Sequence, residues 1–224
     1  MPTTIGRRLH DSPLSLIIAT VVGMVAIVAD LALVWWNHYP ESIEGRGVVA
    51  LVGLAANLYL VRGDLASVGL TVTTIEGWRY WLRATVLIGL VIACCIVVGW
   101  GVWLLLGQEL PSYTTPPQAS GVAFLRMCVF APVLEEVTYR LLVCVPLAAW
   151  RRPWLAIAAS GVSFGGLHLV YGNPSPENLL GGLFLAWAYL KSGSIYLPVA
   201  LHSLGNLCVL VGRIADWYWL SGTA

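Results

Sequence analysis

The sequence contains a run of 23 residues, 14–36, in which Asp30 is the single ionisable side chain. A helix of about 20 apolar residues is long enough to cross the hydrocarbon core of a bilayer. The run is longer than the apolar core of a cleavable signal peptide, and it ends without a small-residue cleavage site. We therefore predict that it forms a first transmembrane helix.

Six further apolar segments follow this run. They are residues 48–61, 84–106, 119–150, 153–171, 179–190 and 195–211, the last of which can extend to residue 220. Two of them are short for a span, and the segment 119–150 is long and interrupted by charged residues. The pattern predicts an all-α fold, a polytopic transmembrane helical bundle of about seven spans. We divide it into three amino-terminal spans, residues 1–118, and a carboxy-terminal part, residues 119–224.

The composition agrees with this prediction. Charged residues make up 10% of the chain and hydrophobic residues 58%, whereas an average soluble domain carries about 25% charged residues. So few charges cannot solvate the whole surface of the protein, and we expect the lipid bilayer to cover most of it. The net charge of +1 argues against nucleic acid as a partner.

The distribution of lysine and arginine predicts the orientation. With a cytoplasmic amino terminus, Arg46 and Arg213 fall on the outer side, and eight basic residues fall on the inner side. Those eight are Arg7, Arg8, Arg62, Arg79, Arg83, Arg151, Arg152 and Lys191. Because lysine and arginine accumulate in cytoplasmic loops, we predict a multi-pass protein of the cytoplasmic membrane with its amino terminus inside and its carboxy terminus outside.

Two adjacent glutamates and an arginine lie in the fourth span, at Glu135, Glu136 and Arg140. Ionisable groups cost about 2.5–3.5 kcal/mol each to insert into a bilayer, so they are kept mainly where they face a cavity or a partner. Glu136 and Arg140 are four residues apart on one helical face and can form a salt bridge. Glu135 points about 100° away from Glu136, which leaves it free to face a cavity. Asp30 is expected to bond between helices.

Two later spans carry histidines at helical spacing from a second side chain. Phe164 shares a face with His168, and His202 shares a face with Asn206, which can orient the His202 ring or donate to a substrate oxygen. By position, Glu135 lies near the middle of its span and His168 near the outer end of its own. Three glycines near His168 should allow another helix to approach closely: Gly161, Gly165 and Gly166.

The three stretches together supply a carboxylate for general-base catalysis, imidazoles to share a proton, and neutral donors for an oxyanion. This inventory indicates peptide hydrolysis by an activated water. Each histidine by itself is equally consistent with an interhelical hydrogen bond. A transporter that uses these groups as a proton relay would be expected to show internal repeats, which the sequence lacks.

In this order and on separate membrane helices, EExxxR, FxxxH and HxxxN resemble the motifs of the CAAX protease and bacteriocin-processing family of intramembrane endopeptidases, also called the Abi family. The resemblance covers roughly residues 121–210. One departure is visible, because the family often has glycine after the motif arginine, where this chain has Leu141 and Leu142. The resemblance implies an all-helical fold of about eight spans, with a polar cavity open to the cytoplasmic side.

The resemblance also implies roles for individual residues. Glu135 would activate water with His168 as its partner, and His202 and Asn206 would hold the oxyanion. The supporting residues would be Glu136, Arg140 and Phe164. The substrate would be a membrane-associated peptide or protein.

Metal dependence and catalysis itself have alternatives. A reaction without a cofactor is favoured, because the sequence has no HExxH helix and Asn206 is a poor zinc ligand. If zinc is required, the available ligands are Glu135, His168 and His202. The alternatives to a metal-free peptidase are a zinc-dependent version of it and a non-catalytic bacteriocin-immunity or scaffold protein of the same family.

Overall fold

The computed structural model describes residues 4–37, 43–108, 113–173 and 175–222. Most of these residues are helical and none of them lies in a strand, which confirms the predicted all-α fold. Eight helices occur within the described ranges, besides two short 3₁₀ turns at Leu65–Val68 and Pro117–Ala119. The helices are α1 (Arg7–His10), α2 (Pro13–Asn37), α3 (Ile43–Leu60), α4 (Trp78–Leu105), α5 (120–149), α6 (Pro153–Val170), α7 (Pro176–Ser192) and α8 (Tyr196–Gly222).

All seven predicted apolar segments are helical. Five helices are long and apolar enough to cross a membrane, over Pro13–Trp36, Ile43–Leu60, Trp78–Leu105, Pro153–Val170 and Tyr196–Ser221. Of the other two, α5 carries four charged side chains and α7 has only 17 residues. The predicted number of seven spans is therefore approximate.

The helices group into two compact units. One unit comprises Met1–Gly77 and Val133–Val199, and the other comprises Trp78–Pro132 and Ala200–Ala224. The unit boundaries fall within α5 and within α8. In the first unit, α2, α3 and α6 pack around the second half of α5. In the second unit, the amide N–H of Thr115 donates to the carbonyl of Arg213 (3.0 Å), whose guanidinium lies over the Tyr113 ring.

Helix α5 is continuous from residue 120 to residue 149, but it widens twice to π-helical geometry, at Leu125–Phe130 and Val137–Cys144. Each wide stretch ends two residues before a proline, Pro132 or Pro146. Proline has no N–H to donate, and its ring collides with the carbonyl four residues earlier in a regular α-helix. Widening the preceding turns relieves this collision, and such π-turns occur frequently at functional sites.

A side-chain amide satisfies a carbonyl in the second wide stretch. In a π-turn, the Leu141 carbonyl would accept from the backbone nitrogen five residues later, which belongs to Pro146 and carries no hydrogen. Asn57 of α3 donates its Nδ2–H to Leu141 O at 3.2 Å, and both residues are buried. Asn57 thus supplies the donor that Pro146 lacks, and it joins α3 to α5.

Glycines set the closest helix contacts in the first unit. A Cβ on Gly23 of α2 would overlap the carbonyl oxygen of Leu142 in α5. A Cβ on Gly161 of α6 would lie 2.9 Å from the backbone nitrogen of Leu183 in α7. The predicted close approach is confirmed at Gly161 and at Gly165, whose Cβ would lie 3.3 Å from α7 backbone. It is wrong at Gly166, which points into open space because it lies on another side of α6.

Candidate active site

The ion pair predicted within α5 is present. Arg140 Nε lies 2.8 Å from Glu136 Oε2, and Arg140 Nη2 donates to Glu136 Oε1 at 3.2 Å. Neither side chain is exposed. Arg140 Nη1 donates to Ser160 Oγ on α6 (2.6 Å), and the guanidinium lies 5.4 Å from the centre of the Phe164 ring. These contacts join α6 to α5.

Glu135 has an ionic partner on another helix. Its Oε1 accepts a hydrogen bond from Arg46 Nη2 at 3.2 Å, and its side chain is 3% exposed. The expectation that Glu135 is left without an ion pair is therefore wrong. The spacing of residues along α5 identifies partners on that helix alone, and Arg46 lies on α3.

Arg46 also binds Asp30, so it connects three helices. Arg46 Nε donates to Asp30 Oδ1 at 2.7 Å, and Tyr139 of α5 donates its hydroxyl to Asp30 Oδ2 at 2.7 Å. Asp30 thus bonds between helices, as its sequence context predicted. The second helix starts earlier than residue 48, since α3 begins at Ile43 and buries Arg46 to 2% exposure.

The contacts between α5 and α6 define an antiparallel register. Cys144 contacts Ala156, Arg140 contacts Ser160, and the Tyr139 ring packs edge-on against Phe164 at 5.8 Å. One further turn in the same direction leads to Glu135 on α5 and to His168 on α6. From this register we infer that these two side chains lie at about the same level of the helix pair. His168 lies near the end of α6, whereas Glu135 lies near the middle of α5. Because α6 is much shorter than α5, the two positions can still lie at a similar level.

The surroundings of His168 determine its tautomer. His168 Nδ1 lies 2.9 Å from the carbonyl oxygen of Phe164, and a carbonyl can only accept. Nδ1 therefore carries a hydrogen, and in the neutral ring Nε2 is the nitrogen that accepts a proton. The ring is 7% exposed and lies between Phe164 (4.5 Å) and Tyr171 (4.8 Å). His168 thus has a defined orientation for proton exchange through Nε2.

The third predicted motif lies on α8, in the second unit. His202 is 7% exposed, and Asn206 donates its Nδ2–H to the carbonyl of Met127 at 2.7 Å. The backbone N–H of Ala131 bonds to Arg126 O instead, and Pro132 has no hydrogen to offer Met127 O. Asn206 therefore replaces a missing backbone donor, as Asn57 does in the first unit. One Nδ2 hydrogen is used in this bond, and an amide nitrogen has two.

A metal would need at least three convergent protein ligands. Within the described ranges, no group of three or more His, Cys, Asp or Glu side chains is arranged to hold a metal ion. Zinc dependence through Glu135, His168 and His202 stays a prediction to be tested on the purified protein.

The comparison with protein families agrees with the motifs. Residues 117–208 match the sequence model described as type II CAAX prenyl endopeptidase Rce1-like. The matched segment contains all three motifs, and the resemblance inferred from them is confirmed. No significant match was found among curated proteins or solved structures. Five apolar helices together with a match to a family of membrane proteases identify an integral membrane protein.

Proposed function

From this match we propose that the protein is an intramembrane endopeptidase that hydrolyses a peptide bond of a membrane-associated protein or peptide. The observation that carries the proposal is the register of the antiparallel pair α5 and α6, which brings buried Glu135 and His168 to about the same level. Arg46 compensates the charge of Glu135, but ionisable side chains within membrane helices are still candidates for a functional site. General acid–base chemistry on a water molecule is a role that uses both.

In the proposed reaction, Glu135 accepts a proton from a water molecule as that water attacks the carbonyl carbon of the scissile peptide bond. His168, through Nε2, accepts a hydrogen bond from the same water and shares its proton. Collapse of the tetrahedral intermediate breaks the carbon–nitrogen bond, and the proton from Glu135 is transferred to the leaving amine. No net proton is gained by the enzyme, and no cofactor is needed to balance the step.

The developing negative charge on the substrate oxygen needs hydrogen-bond donors. We assign this role to His202 and Asn206 on the basis of the family resemblance. The second Nδ2 hydrogen of Asn206 can serve it while the first remains on Met127 O. Both carboxylates are ion-paired, but Arg140 lies against both oxygens of Glu136, at 2.8 and 3.2 Å, and this supports giving the role of base to Glu135.

We also propose that the amino terminus is cytoplasmic and that the protein resides in the cytoplasmic membrane. The proposal depends on the excess of lysine and arginine on the inner side, where eight of the ten residues counted fall. Arg46 and Arg213 on the outer side lie within helices long and apolar enough to cross a membrane, and so do Arg79 and Arg83 on the inner side. Reporter fusions at both ends test the orientation.

The function is tested by comparing the termini of membrane-associated peptides in cells that produce the parent protein or Glu135→Gln. The variant keeps the shape of the side chain and removes the base. We expect products that appear with the parent to form at least about a hundredfold more slowly with Glu135→Gln. Glu76→Gln is a matched control, because Glu76 is a carboxylate 40% exposed that pairs with Lys191.

Two outcomes would contradict the proposal. If Glu135→Gln cleaves within about threefold of the parent, Glu135 is not the base. If no terminus depends on the parent protein in cells or in proteoliposomes, the protein is a non-catalytic member of the family.

A further inference from the structure

We propose that Arg46, itself held by Asp30, is a positioning residue that fixes the carboxylate of Glu135 for catalysis. This inference rests on the proposed role of Glu135 as the base. Asp30 and Arg46 lie outside the matched segment, residues 117–208, so the family match assigns them no part in the reaction.

Arg46 is held by two contacts to Asp30. Arg46 reaches both oxygens of Asp30, with Nε at 2.7 Å from Oδ1 and Nη2 at 3.4 Å from Oδ2. The same Nη2 lies 3.2 Å from Glu135 Oε1. A guanidinium bound through two of its nitrogens has a fixed orientation. The contact to Glu135 therefore comes from a cation that cannot rotate freely.

Helix α5 contributes a second residue to this group of contacts. Tyr139 donates its hydroxyl to Asp30 Oδ2 at 2.7 Å, and it lies one turn from Glu135 on the same helical face. The contacts thus form a ring that starts at Glu135, passes through Arg46, Asp30 and Tyr139, and returns along α5. An ion pair whose only task was to join α2 to α3 would not need the contacts to α5.

The buried group contains two carboxylates and one guanidinium. Asp30 and Glu135 are buried to 1% and 3% exposure, and the guanidinium lies between them. A carboxylate has about four lone-pair sites, so the hydrogen bond from Arg46 to one oxygen orients Glu135 without using all of them. A catalytic group displaced by about 1 Å can lose about a hundredfold in rate.

The test uses purified full-length protein and the double variant Asp30→Asn/Arg46→Gln. This variant removes one negative and one positive charge, so the net charge of the buried group is unchanged and the amides keep hydrogen-bonding capacity. We expect kcat to fall by about ten- to a hundredfold, with KM within about twofold of the parent. Arg46→Lys should recover only part of the rate, because an ammonium lacks the planar fork that grips Asp30 and reaches Glu135.

A surface ion pair provides the matched control. Glu76→Gln/Lys191→Gln neutralises a partly exposed pair, whose atoms lie 3.1 Å apart, in the same way. We expect this control to leave kcat and KM unchanged. A double variant Asp30→Asn/Arg46→Gln with the kcat of the parent overturns the positioning role and leaves the proposed function standing.

Thermal unfolding tests the link to Glu135 without any assay of activity. Arg46→Gln should lower the Tm by about 3 °C or more beyond its effect in a Glu135→Gln background, because the ionic part of the contact is already absent there. Equal shifts in the two backgrounds overturn the inference, since Arg46 then does not stabilise Glu135. A parent protein that hydrolyses no peptide overturns the proposed function and, with it, the positioning role.

Discussion

Arg140 Nε lies 2.8 Å from Glu136 Oε2, and neither side chain reaches the surface of the protein. The same guanidinium donates to Ser160 Oγ on α6. The pair therefore joins the helix that carries Glu135 to the helix that carries His168. We expect its loss to lower the stability of the protein.

Arg140→Ala should destabilise the protein by about 3–5 kcal/mol, because it leaves the Glu136 carboxylate buried without its cation. The yield and the Tm of protein purified in detergent measure this effect. Arg152→Ala serves as the control, since Arg152 is exposed. A Tm for Arg140→Ala equal to that of the control would show that the buried pair contributes nothing to stability.

Asn57 and Asn206 make the same kind of hydrogen bond to α5, so a comparison of the two separates a structural role from a catalytic role. Each donates Nδ2–H to a carbonyl five residues before a proline of α5. Asn57→Ala should cost about 1–3 kcal/mol, since a buried carbonyl loses its donor, and should leave kcat per folded molecule unchanged. Asn206→Ala should lower both stability and kcat, because the proposed oxyanion donor is also lost.

Unfolding in detergent and cleavage of the identified substrate measure the two quantities. If Asn206→Ala behaves like Asn57→Ala in both measurements, Asn206 is a structural residue only. A loss of kcat in Asn57→Ala as large as in Asn206→Ala would show that the chemistry depends on the shape of α5 and not on a donated hydrogen.

Gly161 and Gly166 provide a matched pair of substitutions on one helix. Gly161→Ala should lower the Tm, because the new Cβ would lie 2.9 Å from the backbone nitrogen of Leu183 and α7 must shift. Gly166→Ala should raise the Tm slightly, because its Cβ meets open space and alanine favours helix over glycine by up to about 1 kcal/mol. Differential scanning fluorimetry in detergent measures both. A similar change of Tm in the two variants would contradict the packing of α6 on α7.

Asp64, which lies outside the membrane spans, should make the stability of the protein depend on pH. Burial raises the pKa of its carboxyl, but hydrogen bonds from Ser67 and Arg8 outweigh burial and hold the pKa below its ordinary value of 3.8. A depressed folded-state pKa stabilises the protein above the ordinary pKa, and this stabilisation is lost as the pH falls through the folded value. Asp64→Asn should therefore lower the Tm most at about pH 5 and above, with the difference from the parent shrinking below pH 3.8. A difference that is constant from neutral to acid pH would show that ionisation of Asp64 contributes nothing.

Metal content separates the two versions of the proposed reaction. If Glu135 activates water without a metal, activity survives exhaustive chelation, and His168→Ala and His202→Ala reduce the rate while zinc stays absent. Elemental analysis of the purified parent, followed by an assay in excess chelator, gives the answer. One zinc per chain, with activity lost on chelation and restored by zinc, would require Glu135, His168 and His202 to be its ligands.

The helical fold could be predicted from the sequence because the cause is local. Apolar runs of about 20 residues have few structures available in a bilayer, where each backbone N–H must bond within its own segment. The apolar segments located the ends of the helices less exactly. The second apolar segment was expected to begin at residue 48, but α3 begins at Ile43, because its first turns carry Arg46 into a buried ion pair.

The pairing of Glu136 with Arg140 could also be predicted, since both residues lie on one helix and the helical repeat brings them together. The partner of Glu135 could not be predicted in this way. Asp30 and Arg46 had visible signals, as opposite charges in or beside successive apolar segments, but neither belongs to a motif. The contact requires α2, α3 and α5 to pack together, and that packing depends on close approaches such as Gly23 against Leu142 O.

The sequence by itself determined the properties that depend on neighbours along the chain: the apolar spans, the faces shared by residues four apart, and the order of the three motifs. The tertiary structure decided which helix supplies each partner. It set the antiparallel register of α5 and α6, and it brought Arg46 from α3 to Glu135. The physical reason is that hydrogen bonds and ion pairs act over about 3 Å in space, whereas a helical repeat relates only residues on the same helix.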